Sequence, residues 1–220
     1  MEDDKLFLWV NRDDAELQGG AALQPVLQRL AASSLPPITH LGAKARPIKG
    51  YLDPAVLKDL DKKKTSEKYA NPESGMELAI AQLPDRTAIS LFVPASVAPS
   101  ADELREVFRD LIAIVSPTYA RLAPLAASRE LYDEVFALQR RTFYASGLYW
   151  LNFFGPEEEA KQGGAALAAN PFARVERLPQ GVLIEVGDGP MDMLTPQGRQ
   201  RLIQATAAMP PYVPPSERAT

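Results

Sequence analysis

Cysteine is absent from the 220 residues and histidine occurs once. The first absence excludes a disulfide scaffold, a zinc–thiolate site and a cysteine nucleophile. The second leaves one candidate for an imidazole general base, His40, in Pro36-Pro37-Ile38-Thr39-His40-Leu41-Gly42. No serine or carboxylate motif ties to it as the orienting partner such a base needs. A metal site would have to be built from carboxylates, which points to magnesium or calcium, and no EF-hand spacing occurs. Long apolar runs are also missing, because charges, prolines and glycines interrupt every stretch before the roughly 20 residues that span a bilayer. The start Met1-Glu2-Asp3-Asp4-Lys5-Leu6-Phe7-Leu8-Trp9-Val10 is acidic before a short apolar run, the reverse of a secretory signal. The expectation is a cytoplasmic protein without membrane contact. Positive charge is not in excess either: 24 Lys and Arg against 28 Asp and Glu give a net charge of −4. Direct nucleic-acid binding is disfavoured and a basic partner is favoured.

What is present is enough apolar residue, 46%, to bury a core. We expect a single domain over residues 1–212 and a loose, proline-rich tail over 213–220. Lys5 to Val10 reads as a strand. Leu23, Val26, Leu27 and Leu30 repeat at helical spacing, predicting a helix from Gly20 to about Ser33. Ser34 to Tyr51 reads as an extended connection, and Asp53-Pro54 starts a helix to about Lys64. Met76 to Leu83 and Thr87 to Val93 flank Pro84-Asp85-Arg86 as a hairpin. Ser100 with Glu103 forms a capping-box pattern ahead of Leu104, Val107, Phe108, Leu111, Ile112 and Val115 on one helical face.

The chain from Thr118 to Ala145 is ambiguous: Tyr119 to Leu122 suits a strand, and Leu131, Val135, Phe136 and Leu138 suit a helix. Leu148 to Phe154 is apolar on both alternating faces apart from Asn152, predicting a strand covered on both sides. On the same reasoning Tyr149, Trp150, Phe7 and Trp9 are core residues. Pro156 and Glu157, Glu158 and Glu159 look like the first turn of a helix running to about Asn170. Arg174 to Leu178 and Val182 to Val186 form a second hairpin, and Thr195-Pro196 caps a helix through about Met209. Two hairpins, no regular βαβ repeat and interspersed helices predict an α+β fold with helices covering an antiparallel or mixed sheet.

Catalytic motifs are not found. Gly187-Asp188-Gly189-Pro190 follows a strand, but Pro190 removes a backbone donor and no further glycine opens a phosphate cradle. Gly19-Gly20 and Gly163-Gly164 read as bends. Lys62-Lys63-Lys64 and Lys68, like Lys44, Arg46 and Lys49, are diluted by acids and read as solvated faces. The carboxylates remain. The stretch Thr142 to Ala160 carries Glu157, Glu158 and Glu159 and no positive charge. These three either complement a helix dipole or form an exposed acidic patch for a basic partner, which Asp188 and Asp192 could extend. No catalytic, metal or cofactor residue is assigned.

The segment Gly147-Leu148-Tyr149-Trp150-Leu151-Asn152-Phe153-Phe154-Gly155-Pro156-Glu157, an aromatic strand closing on Asn-x-x-Gly-Pro, resembles a signature of bacterial polymorphic-toxin immunity proteins. So does the ending Leu178-Pro179-Gln180-Gly181-Val182-Leu183-Ile184-Glu185-Val186, followed by a turn written here as Gly189-Pro190-Met191-Asp192 and a last amphipathic helix. The group it is similar to is the immunity family paired with restriction-endonuclease-like nuclease toxins, including type VI secretion effectors. The resemblance spans Pro72 to Tyr212 and is strongest toward the C-terminal end. It implies a non-catalytic α+β protein, without cofactor, that binds a cognate secreted nuclease and protects the producing cell and its siblings. A basic nuclease cleft suits an acidic inhibitor. Expected partner-binding residues are Glu157, Glu158 and Glu159, with Asp188 and Asp192 beside them, and self-association stays open. Two alternatives are an effector adaptor or chaperone and a hydrolase using paired carboxylates.

Overall fold

A computed structural model describes residues 5–14, 16–42, 44, 46–62, 66–127 and 147–210. The chain divides into two compact units, Glu2–Pro117 and Thr118–Thr220. Each is α+β with an antiparallel sheet.

In the N-terminal unit six strands run in the order β3-β2-β4-β5-β6-β1. They are β1 (Lys5–Arg12), β2 (His40–Leu41), β3 (Arg46–Pro47), β4 (Ser66–Asn71), β5 (Met76–Leu83) and β6 (Arg86–Pro94). The expected hairpin is β5–β6, with Leu83 opposite Arg86 and Ile80 opposite Ile89. Strand alternation sorts its residues: Leu6, Leu8, Val10, Met76, Leu78, Ile80, Ile89, Leu91 and Val93 are buried on one face. Helices α1 (Gly20–Ala31), α2 (Pro54–Asp61) and α3 (Ala101–Val115) supply Leu23, Val26, Leu27, Val56, Phe108 and Ile112 to this unit's core. Phe7 and Trp9, expected in the core, lie on the opposite face and are half-buried, with Phe7 stacked on Phe92 at 4.8 Å. Their position follows from the pleat, which turns alternate residues away from the helices.

The Ser34–Tyr51 connection contains β2 and β3: Thr39 N–H and Gly42 N–H donate to the carbonyls of Ala70 and Lys68 on β4, and β3 pairs in turn with β2, where Ile48 N–H donates to the Thr39 carbonyl. Strand β4 was not expected; its alternation is masked by charge, and only Tyr69 and Asn71 point into the core among Ser66–Asn71. Gly20 begins α1 where a Cβ would sit 2.6 Å from the Leu57 carbonyl oxygen of α2. Gly19, at φ +87°, makes the expected bend, and Gly20 permits the close helix crossing. The capping box is half formed. Ser100 accepts from Glu103 N–H, while the Glu103 carboxylate turns to the Ser34 amide and hydroxyl, each at 2.7 Å.

In the C-terminal unit the order is β7-β8-β10-β9, from β7 (Tyr119–Pro124), β8 (Leu151–Phe154), β9 (Arg174–Leu178) and β10 (Gly181–Glu185). Tyr119–Pro124 resolves the ambiguous stretch as strand; Leu131, Val135, Phe136 and Leu138 lie outside the described residues, as does the 213–220 tail. Strand β8 is shorter than expected. Leu148, Tyr149 and Trp150 are buried but not in the strand, because the Asn152 side chain folds back, accepting from Tyr149 N–H at 3.0 Å and donating to the Tyr149 carbonyl at 2.8 Å. Helix α4 (Pro156–Lys161) is also short, ending two residues before Gly163, whose φ is +104°. The chain continues as a 3-10 turn, Gly164–Ala169. A second 3-10 turn, Pro190–Leu194, precedes α5 (Pro196–Ala207), which Thr195 caps by accepting from Gly198 N–H.

Candidate functional site

The five sequence-assigned carboxylates all lie in the C-terminal unit, but they do not form one exposed acidic patch. Helical spacing separates the glutamates of α4. Glu157 faces solvent, its side chain 76% exposed, 2.9 Å from Lys161 one turn on. Glu158 is 1% exposed, accepts from the Gln162 side-chain amide at 2.9 Å, and has Lys161 at 3.7 Å. Glu159 is 11% exposed at its side chain and held at 2.6 Å by Arg177 of β9. The expectation of three exposed glutamates is thus corrected for Glu158 and Glu159. Consecutive helical residues are turned about 100° apart, so three neighbours cannot share one face.

Asp188 and Asp192 take different roles. Asp192 accepts from the backbone N–H groups of Asp188 and Gly189 at 2.9 and 3.1 Å, closing the turn that opens the 3-10 segment. Asp188 projects outward and meets Arg174 of β9 at 3.0 Å, both side chains more than two-thirds exposed. The chain enters this turn through Gly187, whose φ is +87°.

Beside this turn lies an open depression of about 330 Å³ between the β9–β10 end and α5. Phe172, Arg174, Glu185, Asp188, Arg201 and Gln204 line it. Its charges are balanced, with Arg174 and Arg201 against Glu185 and Asp188. Phe172 is fixed at its mouth because Asn170 accepts from Phe172 N–H at 3.1 Å and donates to the Ala205 carbonyl of α5 at 2.8 Å. On the next turn, Met191 and Leu194 are three residues apart in a 3-10 segment, a spacing that aligns them on one side. They are 45% and 36% exposed, while Pro190 and Met193 are buried. Four large apolar side chains are exposed among the described residues, and three of them, Phe172, Met191 and Leu194, belong to this unit. The sequence reading missed them. The one signal available was Met191 and Leu194 at 3-10 spacing between Gly189 and Thr195.

A polar cluster lies deeper in the same unit. Arg121 sits over the Tyr149 ring at 4.6 Å, a favourable cation–π distance. Burial pushes the fully buried Tyr119 phenol up, against an opposing pull from Arg121 and with smaller upward contributions from Tyr149 and Glu158.

His40, in the N-terminal unit, stands on β2 with its Nδ1 2.9 Å from the Thr39 hydroxyl; among the described residues no carboxylate bonds to its ring. No group of three His, Cys, Asp or Glu side chains among the described residues is placed to hold a metal ion. No helix among them is long and apolar enough to cross a membrane.

No protein-family model matches the sequence, and no curated protein is similar to it at a significant level.

Proposed function

We propose that this chain is an immunity protein that binds and neutralises a cognate secreted nuclease toxin, of the type VI effector kind, and protects the producing cell and its siblings. The observation that carries the reading is the exposed apolar set Phe172, Met191 and Leu194 in the region of the resemblance. Apolar side chains held out by a hydrogen-bonded turn are what a protein partner buries at the centre of an interface. The Asp192 bonds and the Asn170 clamp fix their backbone before binding, which lowers the entropy lost on association. Asp188, beside Phe172, contributes an exposed carboxylate, Glu157 presents another on α4, and the net charge of −4 favours encounter with a basic nuclease surface. Glu158, Glu159 and Asp192 act indirectly in this reading, by shaping the helix and the turn.

The test is co-purification of the tagged protein from its producing cell, followed by expression of the bound partner in a host lacking this protein. A stoichiometric nuclease, toxic alone and harmless together with this chain, is the expected result. Met191→Asp with Leu194→Asp should abolish protection while the fold stays intact. A partner that is not toxic, or protection unaffected by the double substitution, overturns the reading or its interface. Delivery of an effector without protection marks an adaptor.

A further inference from the structure

We propose that β9, at the edge of the C-terminal unit's sheet, pairs antiparallel with β9 of a second copy of this chain about a two-fold axis. Arg174 of each copy then lies opposite Glu176 of the other.

The strand pairs on its inner side with β10, from Leu178 opposite Gly181 to Arg174 opposite Glu185. Among the described residues no strand pairs with its outer side. The two-residue loop Pro179–Gln180 sets which backbone groups face outward. A turn of this length directs the Leu178 backbone toward Gly181. Alternation then turns Glu176 and Arg174 toward β10, and the N–H and C=O groups of Val175 and Arg177 outward. An open row of this kind is a template for another strand.

Its charges select the occupant. In an antiparallel ladder outward-facing residues must meet outward-facing residues, so a two-fold axis allows three registers within this strand. With Val175 opposite Arg177, Glu176 faces Glu176 of the other copy. With Arg177 opposite Arg177, like charges meet and Glu176 faces Leu178. With Val175 opposite Val175, Arg174 faces Glu176 twice, in the non-hydrogen-bonded positions where side chains come closest. Only this last register joins opposite charges, and it does so twice because the axis repeats the pair. Arg174, Glu176 and Arg177 are all exposed. The Arg174–Asp188 pair is exposed at both ends, and a guanidinium has donors enough for a second carboxylate. The same charges that blunt indiscriminate edge pairing thereby permit one partner and one register.

Sedimentation velocity of the full chain across the micromolar range tests this. The expected result is a reversible monomer–dimer equilibrium. Glu176→Arg alone and Arg174→Glu alone should each weaken the dimer about tenfold or more, by placing like charges opposite each other. A one-to-one mixture of the two variants should restore dimer as a mixed species, because each then supplies what the other lacks. Val175→Pro, which removes an outward N–H and leaves the β10 ladder, should also give monomer. Circular dichroism confirms that each variant is folded. A wild-type chain that stays monomeric, a dimer insensitive to Glu176→Arg, or a mixture that stays monomeric overturns the proposal.

Discussion

Asn152 is the one polar residue inside the aromatic run before Gly155-Pro156, and replacing it with alanine tests why the run is built as it is. Its side chain satisfies both backbone groups of Tyr149, and all three residues from Tyr149 to Leu151 are buried. Its amide also reaches the Ile184 carbonyl at 3.5 Å, at the limit of a useful bond. In Asn152→Ala the Tyr149 N–H and C=O lose their partners where water is excluded. Each orphaned group costs about 1–3 kcal/mol, so two cost about 2–6. Removing the Asn amide from the interior returns about 1–2 kcal/mol, leaving a net loss of about 3 kcal/mol. For a protein of this size that corresponds to a fall in Tm of about 6–12 °C. The assay is guanidinium unfolding followed by fluorescence in a Trp9→Phe background, where Trp150 alone reports and does so from the C-terminal unit. The exposed Glu157→Gln serves as control, with an expected shift within about 0.5 kcal/mol. An Asn152→Ala loss no larger than the control would refute the reasoning, since it would mean that Tyr149 finds other partners.

Three further outcomes are expected. The Asp53 carboxyl is held below the ordinary aspartate range by backbone N–H bonds from Ala55 and then Lys49. Its stabilising contribution is therefore present above about pH 4 and is lost as pH falls through the depressed folded value. Asp53→Asn keeps the cap and should flatten the stability profile on the acid side, measured by denaturant midpoints across pH. Ser100→Ala removes the acceptor of Glu103 N–H at the start of α3 and should cost about 1 kcal/mol in chemical denaturation. Gly198→Ala would drive a Cβ into the Asp192 carbonyl and should cost about 1–3 kcal/mol by calorimetry, with the Pro190–Leu194 turn displaced.

Several elements could be read directly because local chemistry and the core asked for the same thing. Leu104 to Val115 is helical by spacing, capped by Ser100, and buried on the face its periodicity marks. The β5–β6 alternation put one face of each strand inside, and Thr195-Pro196 opened the last helix. Reading failed where a partner distant in sequence decided the outcome. Strand β2 exists because β4 offers it carbonyls, β3 because β2 in turn offers it a partner, and β4 itself carries only two inward residues. The aromatic run, by contrast, lost three strand residues to a side chain close in sequence, Asn152, three positions from Tyr149. Of the site, Glu157 and Asp188 were found on the surface as expected. All three glutamates sit in the first turn of α4, as the helix-dipole reading expects; the alternative of one exposed patch fails at Glu158 and Glu159, because a helix presents its residues in turn.

Composition alone determined that no thiol chemistry is possible and that a core could form, since both depend on which residues exist. Local spacing determined the long helices and the hairpins, because their hydrogen bonds close within a few residues of chain. Only the tertiary structure decided which carboxylates reach solvent: the Glu158–Gln162 bond is local, one helical turn long, but Arg177 claims Glu159 from another strand and burial closes over Glu158. It likewise decided that Phe172, Met191 and Leu194 stay outside. Burial is a property of the surfaces that meet, and a residue's own hydrophobicity does not specify which surface it meets.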